Sequence, residues 1–229
     1  MWLLLKRNSD PAATWLAEGL SACGLNPLVI INESALSGGT VWTQRIGANG
    51  ATVVMRLSDG TIVDSTRVRG GICLLGWAGA APVGDFVQED RSYVQAEHWA
   101  FLVSALYCVP GLINPPGPLG LAGPEFGLRE WQCRAAKAGF QLRTKPVSSN
   151  KETCLRQRVI VLDTEIFGVQ PPSRIAKACL SLRAISGCRL LGIELLQTDA
   201  RWEFLSASPT GDLRPGGEPL IEALTKALK

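Results

Sequence analysis

Apolar and polar positions group into short apolar runs and longer amphipathic stretches, a pattern that predicts strands and helices in one chain. Residues 2–5 form an apolar run that ends in a polar segment. Asp10 or Ser9 can cap a helix after this segment, and Gly24 can end that helix. Residues 27–31 form a second apolar run. A β-α-β opening of this kind favours a parallel sheet.

The rest of the chain continues to mix strands and helices. The dipeptide Asp59-Gly60 between two β-rich runs predicts a hairpin. The polar segment 141–157 is the predicted domain boundary, which divides the chain into domains 1–145 and 146–229. The other predicted strands are 52–57, 61–64, 72–75, 112–114, 158–163, 189–196 and 201–205, and the other predicted helices are 90–107, 124–138, 173–186 and 217–228.

Composition excludes several classes of protein. The 229 residues are 46% hydrophobic and 19% charged, which excludes a disordered chain. A formal net charge of +3 is too small to indicate a nucleic acid or an anionic membrane as partner. No apolar run approaches the length of a membrane span, and the N-terminus lacks the pattern of a secretory signal. We therefore expect a cytoplasmic protein.

Cysteine and histidine usage limits the chemistry of any site. His98 is the only histidine, so a histidine-based triad or a multi-histidine metal site would depend on that one residue. The cysteines are odd in number and no pair has the C-x-x-C spacing, so we expect reduced thiols that pack as small hydrophobic groups. They are Cys23, Cys73, Cys108, Cys133, Cys154, Cys179 and Cys188.

Several short N-terminal motifs occur in an order that is informative. They are Leu3-Leu4-Leu5, Asn8-Ser9-Asp10-Pro11, Asp59-Gly60, residues 111–116 and residues 135–140. In this order they resemble the pre-ATP-grasp domain of the ATP-grasp superfamily, in the branch of ribosomal-protein glutamate ligases and peptide maturases. The resemblance implies an α/β fold with a Rossmann-like pre-ATP-grasp domain, followed by a small α+β remnant of the ATP-grasp core.

The C-terminal segments 191–196, 202–209 and 217–220 resemble the metal-binding end of the ATP-grasp core. In the family, an acidic residue on one strand and a Glu-x-Asn-Pro motif on the next hold magnesium against the phosphates of ATP. Carried over, the acid falls on Glu194 and the motif on Ser206-Ala207-Ser208-Pro209. Two of the three expected ligands are therefore serines, and neutral hydroxyls bind magnesium poorly.

The middle of the chain departs further from the family. Family members place a nucleotide-binding subdomain between the segments that resemble residues 139–150 and 158–168, whereas this chain has only residues 151–157 there. No glycine-rich phosphate-binding motif occurs elsewhere as a substitute. We therefore expect no bound cofactor and no metal. The resemblance implies a catalytically inactive ATP-grasp homologue that acts as a partner subunit or as a peptide-recognition module.

Alternatives remain open at both candidate sites. Glu194 is either a surviving ligand or a polar residue of a half-buried strand. Ser206 and Ser208 either bind a small anion or have a structural role. The segment Arg7, Asn8, Ser9 and Asp10 follows the first strand, at the edge of a parallel sheet where ligands bind, or it simply caps a helix.

These alternatives leave two rival functions. One is an ATP-dependent carboxylate-amine ligase completed by another chain, and the other is a small-molecule binder that uses a crevice near Asn8–Asp10. Losing the central subdomain would leave apolar faces of the C-terminal sheet without cover. We therefore expect a homodimer or a heteromer with a protein or peptide partner, and no nucleic acid or membrane partner.

Overall fold

A parallel sheet, a small antiparallel sheet and a larger mixed sheet make up the described part of the chain. The computed structural model describes residues 1–37, 40–48, 50–76, 86–117, 119–142, 155–198 and 201–229. The predicted boundary between residues 145 and 146, and Cys154, lie outside these residues. The strands are β1 (Trp2–Lys6), β2 (Leu28–Asn32), β3 (Val41–Gly47), β4 (Gly50–Arg56), β5 (Ile62–Asp64), β6 (Gly70–Cys73), β7 (Leu112–Ile113), β8 (Gln141–Leu142), β9 (Leu155–Leu162), β10 (Glu165–Gly168), β11 (Leu190–Gln197) and β12 (Trp202–Ser208). The helices are α1 (Pro11–Ala22), α2 (Glu33–Ser37), α3 (Arg91–Tyr107), α4 (Leu128–Lys137), α5 (Ser173–Ser186) and α6 (Gly217–Leu228).

The first sheet has the order β2-β1-β6-β7, and all its neighbouring strands are parallel. Strand β1 is buried on both faces, which explains why its sequence is continuously apolar. Leu4 packs with α1, whereas Leu3 and Leu5 pack on the opposite side with α3. The predicted β-α-β opening is therefore confirmed. Asp10, rather than Ser9, caps α1.

The second sheet is antiparallel, with the order β3-β4-β5. Its β4–β5 connection contains Asp59 and Gly60, and Gly60 has a positive φ of 85° that suits glycine in a tight turn. The hairpin that this dipeptide predicts is thus confirmed. Strand β3 was not predicted. It attaches to α3 through Trp42, which contacts Phe101 edge-to-face, and through Gln44, which donates a 2.8 Å hydrogen bond to Ser104.

The third sheet has the order β10-β9-β11-β12-β8. Helices α4 and α5 cover one of its faces, where Val161, Ile193 and Phe204 are buried. On the other face, Ile160 and Leu190 belong to the same apolar core as α1 and the C-terminal helix α6. The face that we expected to need a partner is therefore covered by the chain itself at these positions. The predicted homodimer or heteromer stays a prediction.

Asn114 joins the first sheet to the third. It follows β7 with a positive φ of 55°, and its side chain is buried. Its Nδ2 donates to the Leu190 carbonyl at 2.6 Å, and its Oδ1 accepts from the Arg189 and Leu190 amides at 2.7 and 3.1 Å. One amide side chain thereby fixes the start of β11 against the end of β7.

In the parts of the chain that the structure describes, no helix is both long enough and apolar enough to cross a bilayer.

The six described cysteines are all free thiols. Burial raises the pKa of both Cys73 and Cys179 to about 12, whereas Cys133 is exposed on α4.

Candidate functional site

The antiparallel register of the third sheet brings the C-terminal candidate residues together. Glu194 on β11 lies opposite Ser206 on β12, and Gly192 lies opposite Ser208. Side chains two residues apart on a strand share a face, so Ser206, Ser208 and Glu194 line the same side of the sheet. On its other neighbour, β9, the residue opposite Glu194 is Arg158.

Arg158 engages the carboxylate of Glu194. Its guanidinium forms an ion pair with Glu194 Oε1 and donates a second hydrogen bond, of 3.1 Å, to the Asp212 carbonyl. Glu194 Oε2 accepts a 3.0 Å hydrogen bond from Ser206. The two side chains are 24% and 33% exposed, so the pair is largely but not fully removed from water. Both carboxylate oxygens of Glu194 are thus occupied by groups of the chain itself.

The pKa of Glu194 reflects this environment. Partial burial acts to raise the pKa, but hydrogen bonds from Arg158 and Ser206 outweigh burial and hold it below its ordinary value. The carboxyl group is therefore ionised at neutral pH. Its negative charge is balanced by the guanidinium, and it does not have the raised pKa of a general acid.

Ser208 organises the turn that follows β12. Its hydroxyl accepts a 3.1 Å hydrogen bond from the Thr210 amide and lies 3.1 Å from the Thr210 hydroxyl. Further along, Arg214 forms an ion pair of 2.6 Å with Asp212. Because Arg158 also holds the Asp212 carbonyl, this turn is tied back to the sheet at Glu194. The structural role of Ser208 is therefore visible in its contacts.

The N-terminal candidate segment has mainly capping contacts. Asp10 Oδ1 accepts hydrogen bonds from the Ala12 and Ala13 amides, each 3.1 Å long, at the start of α1. Asn8 accepts a 3.2 Å hydrogen bond from the Ser34 amide. Ser9 is exposed, and the exposed Arg7 lies 3.7 Å from Asp10 Oδ2. These contacts match the alternative that these residues cap a helix.

A small crevice nevertheless joins the two candidate segments. It has a volume of about 130 Å³ and lies where α1 begins, beside the turn that follows β12. Its lining consists of Arg7, Asp10, Pro11, Ala12, Leu74 and residues 210–214. The structure therefore brings Arg7 and Asp10 close to the turn that Ser208 and Arg158 hold, although the two segments lie about two hundred residues apart in sequence.

Magnesium does not fit this set of donors. The cation prefers several anionic or carbonyl oxygens, and here the single carboxylate of Glu194 already faces a guanidinium. Ser206 and Ser208 contribute neutral hydroxyls that are used within the chain. Over the described ranges, no three His, Cys, Asp or Glu side chains come close enough together to hold a metal ion.

Sequence reasoning missed Arg158, Asp212 and Arg214. For Arg158 the sequence shows only a charged residue at the head of the apolar run 159–162, which does not identify its partner. Asp212 and Arg214 lie in a turn and carry no such signal.

Solved structures of other proteins share this architecture from end to end. Macrocyclase MdnC bound with precursor peptide MdnA, from Microcystis aeruginosa MRC, is 12% identical with a TM-score of 0.72, and the alignment covers 100% of this chain and 99% of that one. A RiPP-associated ATP-grasp ligase of Chryseobacterium gregarium, in complex with ADP and a leader and core peptide, is 9% identical with a TM-score of 0.70 and coverages of 99% and 94%. The chain has an ATP-grasp-like fold.

A third structure agrees with the first two. ATP-grasp ligase PsnB, complexed with minimal precursor, Mg and ADP, is 12% identical with a TM-score of 0.67, and the alignment covers 99% of this chain and 96% of that one. No protein-family model matches the sequence, and no curated protein matches it. At such low identity the likeness establishes the ATP-grasp-like fold and leaves the activity to be argued from the site.

Proposed function

We propose that this protein is a catalytically inactive, internally truncated ATP-grasp homologue that acts by binding a protein or a peptide. In this proposal, residues 1–145 form a Rossmann-like pre-ATP-grasp domain and residues 146–229 form a remnant of the C-terminal ATP-grasp subdomain. The observation that carries the proposal is the ion pair between Arg158 and Glu194.

This ion pair argues against magnesium-ATP chemistry for an electrostatic reason. In the ATP-grasp family, the position that corresponds to Glu194 supplies a carboxylate for a divalent cation. Here the guanidinium of Arg158 supplies the positive charge from within the chain, held by hydrogen bonds to Glu194 and Asp212. A divalent cation at this place would have to displace that guanidinium or tolerate its repulsion.

Peptide binding requires no nucleotide chemistry, so it is compatible with the arrangement of charges around Glu194. All three ATP-grasp structures described above contain a precursor, leader or core peptide. We infer that the shared fold supports polypeptide recognition in this chain as well, because that recognition does not require the metal ligands. We therefore place peptide or protein recognition first among the candidate functions.

Titration with magnesium-ATP tests the inactive half of the proposal. Calorimetry is expected to show no binding tighter than about 1 mM, and ADP release with amino acids or peptides is expected to stay at background.

Glu194→Gln is expected to lower the free energy of unfolding by about 1–2 kcal/mol, because Arg158 loses a partly buried carboxylate. Glu97→Gln on α3, where Glu97 is exposed, is the matched control.

A different outcome would support the ligase alternative. The bound ADP in two of the similar structures is the observation that favours a ligase completed by another chain. Micromolar binding of magnesium-ATP, or ADP release that requires cell extract and is lost in Glu194→Gln, would contradict the inactive assignment.

The crevice beside Arg7 motivates the small-molecule alternative. Its volume of about 130 Å³ suits only a very small ligand, and its lining contains Arg7 and Arg214 together with the carboxylates of Asp10 and Asp212. Thermal-shift measurements with small carboxylates and phosphate distinguish this alternative. Stabilisation that is lost in Arg7→Ala would favour a small anion over a polypeptide as the ligand.

A further inference from the structure

Helices α1 and α6 approach each other closely and leave a groove along their outer side. The contact depends on Gly19, because a Cβ at this position would lie 2.3 Å from Cδ1 of Ile221. The groove between the helices has a volume of about 420 Å³ and shares no lining residue with the crevice beside Arg7. It therefore represents a second surface on the molecule.

The groove combines an apolar floor with an acidic rim. It is lined by Trp15, Glu18, Gly19, Ala22, Cys23, Glu218, Ile221 and Glu222. The indole of Trp15 packs on the core with one side and is only partly buried. Within the described part of the chain, no ion pair of 4.0 Å or less engages the carboxylates of Glu18, Glu218 or Glu222, although the exposed Lys226 follows Glu222 by one helical turn.

Contacts between α1 and α6 make the two ends of the groove different in charge. Gly19 meets Ile221, and the Lys229 ammonium donates a 3.3 Å hydrogen bond to the Cys23 carbonyl. The end at Cys23 therefore carries a positive charge of the chain itself. Trp15 and Glu218 lie toward the opposite end, and among the described residues Glu218 forms no ion pair.

We propose that this groove docks a segment of a partner polypeptide that presents an arginine or a lysine beside apolar side chains. Three carboxylates without ion-pair partners complement a cation, and the face of an indole is the side chain that attracts a cation most strongly. The apolar floor supplies the anchor for neighbouring aliphatic groups. This proposal rests on the polypeptide-binding half of the proposed function and does not depend on the state of the Glu194 site.

The test uses two matched probe peptides and the full-length protein. One is a fluorescently labelled amphipathic helix of leucine, alanine and arginine, and the other has citrulline at every arginine, which removes the charge and keeps the shape. Fluorescence anisotropy measures Kd at low and at physiological ionic strength. The arginine peptide is expected to bind more tightly than the citrulline peptide, with a difference that shrinks as salt is added.

Three variants identify the surface. The double substitution Glu18→Gln and Glu222→Gln is expected to weaken binding of the arginine peptide about five- to tenfold, while the citrulline peptide is unaffected. Trp15→Phe keeps an aromatic ring on the core and is expected to weaken binding about threefold. Glu97→Gln on α3 is the control and is expected to leave Kd unchanged.

Several results would overturn the proposal. They are equal affinity for both peptides, no measurable binding of the arginine peptide, and an unchanged Kd in the glutamine double variant. Light scattering adds another: self-association that the double variant abolishes would assign the groove to a second copy of this chain. Equal binding of both peptides would reject this groove and leave polypeptide binding elsewhere on the chain standing. The magnesium-ATP titration tests the inactive assignment separately.

Discussion

Replacing Asn114 tests how the two parts of the molecule are held together. Asn114→Ala removes the only side chain that bridges β7 and β11 by three hydrogen bonds among the described residues. The amide and the carbonyl of Leu190 that it contacts are buried, so water cannot replace the lost partners readily. The site around Glu194 lies on the same strand, which makes this contact relevant to function.

The expected loss of stability follows from these contacts. Each of the two buried backbone groups of Leu190 left without a partner costs about 1–2 kcal/mol. The positive φ at position 114 costs an alanine about 1 kcal/mol more than asparagine. Together these contributions lower the free energy of unfolding by about 3–5 kcal/mol, which corresponds to a Tm lower by about 6–20 °C for a chain of this size.

Urea unfolding followed by tryptophan fluorescence measures this change. Asn114→Gly removes the same hydrogen bonds but accepts the positive φ, so it is expected to be less damaging than Asn114→Ala. Asn32→Ala, at the exposed end of β2, is the control and is expected to stay within about 0.5 kcal/mol of the wild type. A loss below about 1 kcal/mol in Asn114→Ala would refute the idea that this side chain joins the two sheets.

Two further predictions concern acid stability and thiol reactivity. A hydrogen bond from Arg189 holds the pKa of Asp163 below its ordinary 3.8, so its contribution to stability is present above that pH and lost as the pH falls further. Asp163→Asn should therefore flatten the acid limb of a stability-against-pH curve, and an unaltered limb would contradict this. At pH 8, iodoacetamide should label the exposed Cys133 well before Cys73 and Cys179, whose pKa burial raises to about 12, as mass spectrometry of the folded protein will show.

The sequence predicted those parts of the fold whose signals are local. A cap at Asp10 and the Asp59-Gly60 turn each act within a few residues, and the structure confirms both. Strand β3 was not predicted because its apolar and polar residues do not alternate regularly. Val41 and Ile46 lie on opposite faces of the strand, and both are apolar although they are 65% and 78% exposed. A strand that presents apolar groups to solvent on both faces has no period of two to find.

The candidate site was predictable only in part, and the reason is pairing between distant strands. The positions of Glu194, Ser206 and Ser208 followed from resemblance along one stretch of sequence. Arg158 lies 36 residues before Glu194 and meets it only because β9 and β11 pair in one register. Shifting that register by one residue would turn Arg158 to the opposite face of the sheet. The feature that most changes the functional interpretation therefore had to come from the structure.

The prediction of an oligomer also depended on contacts between elements that are distant in sequence. From the sequence, the strands of the C-terminal sheet had two apolar faces and only α5 to cover them, so a second chain was the natural cover. In the structure, α6 returns to the N-terminal half and packs beside α1, and Leu220 and Leu224 share a core with Ile160. Because α6 covers this face from within the same chain, the apolar face no longer requires a second chain. A partner would instead bind at a surface outside the core. The acidic groove that α6 forms with α1 is such a surface, and it exists because the helix that closes the core also leaves its outer side open.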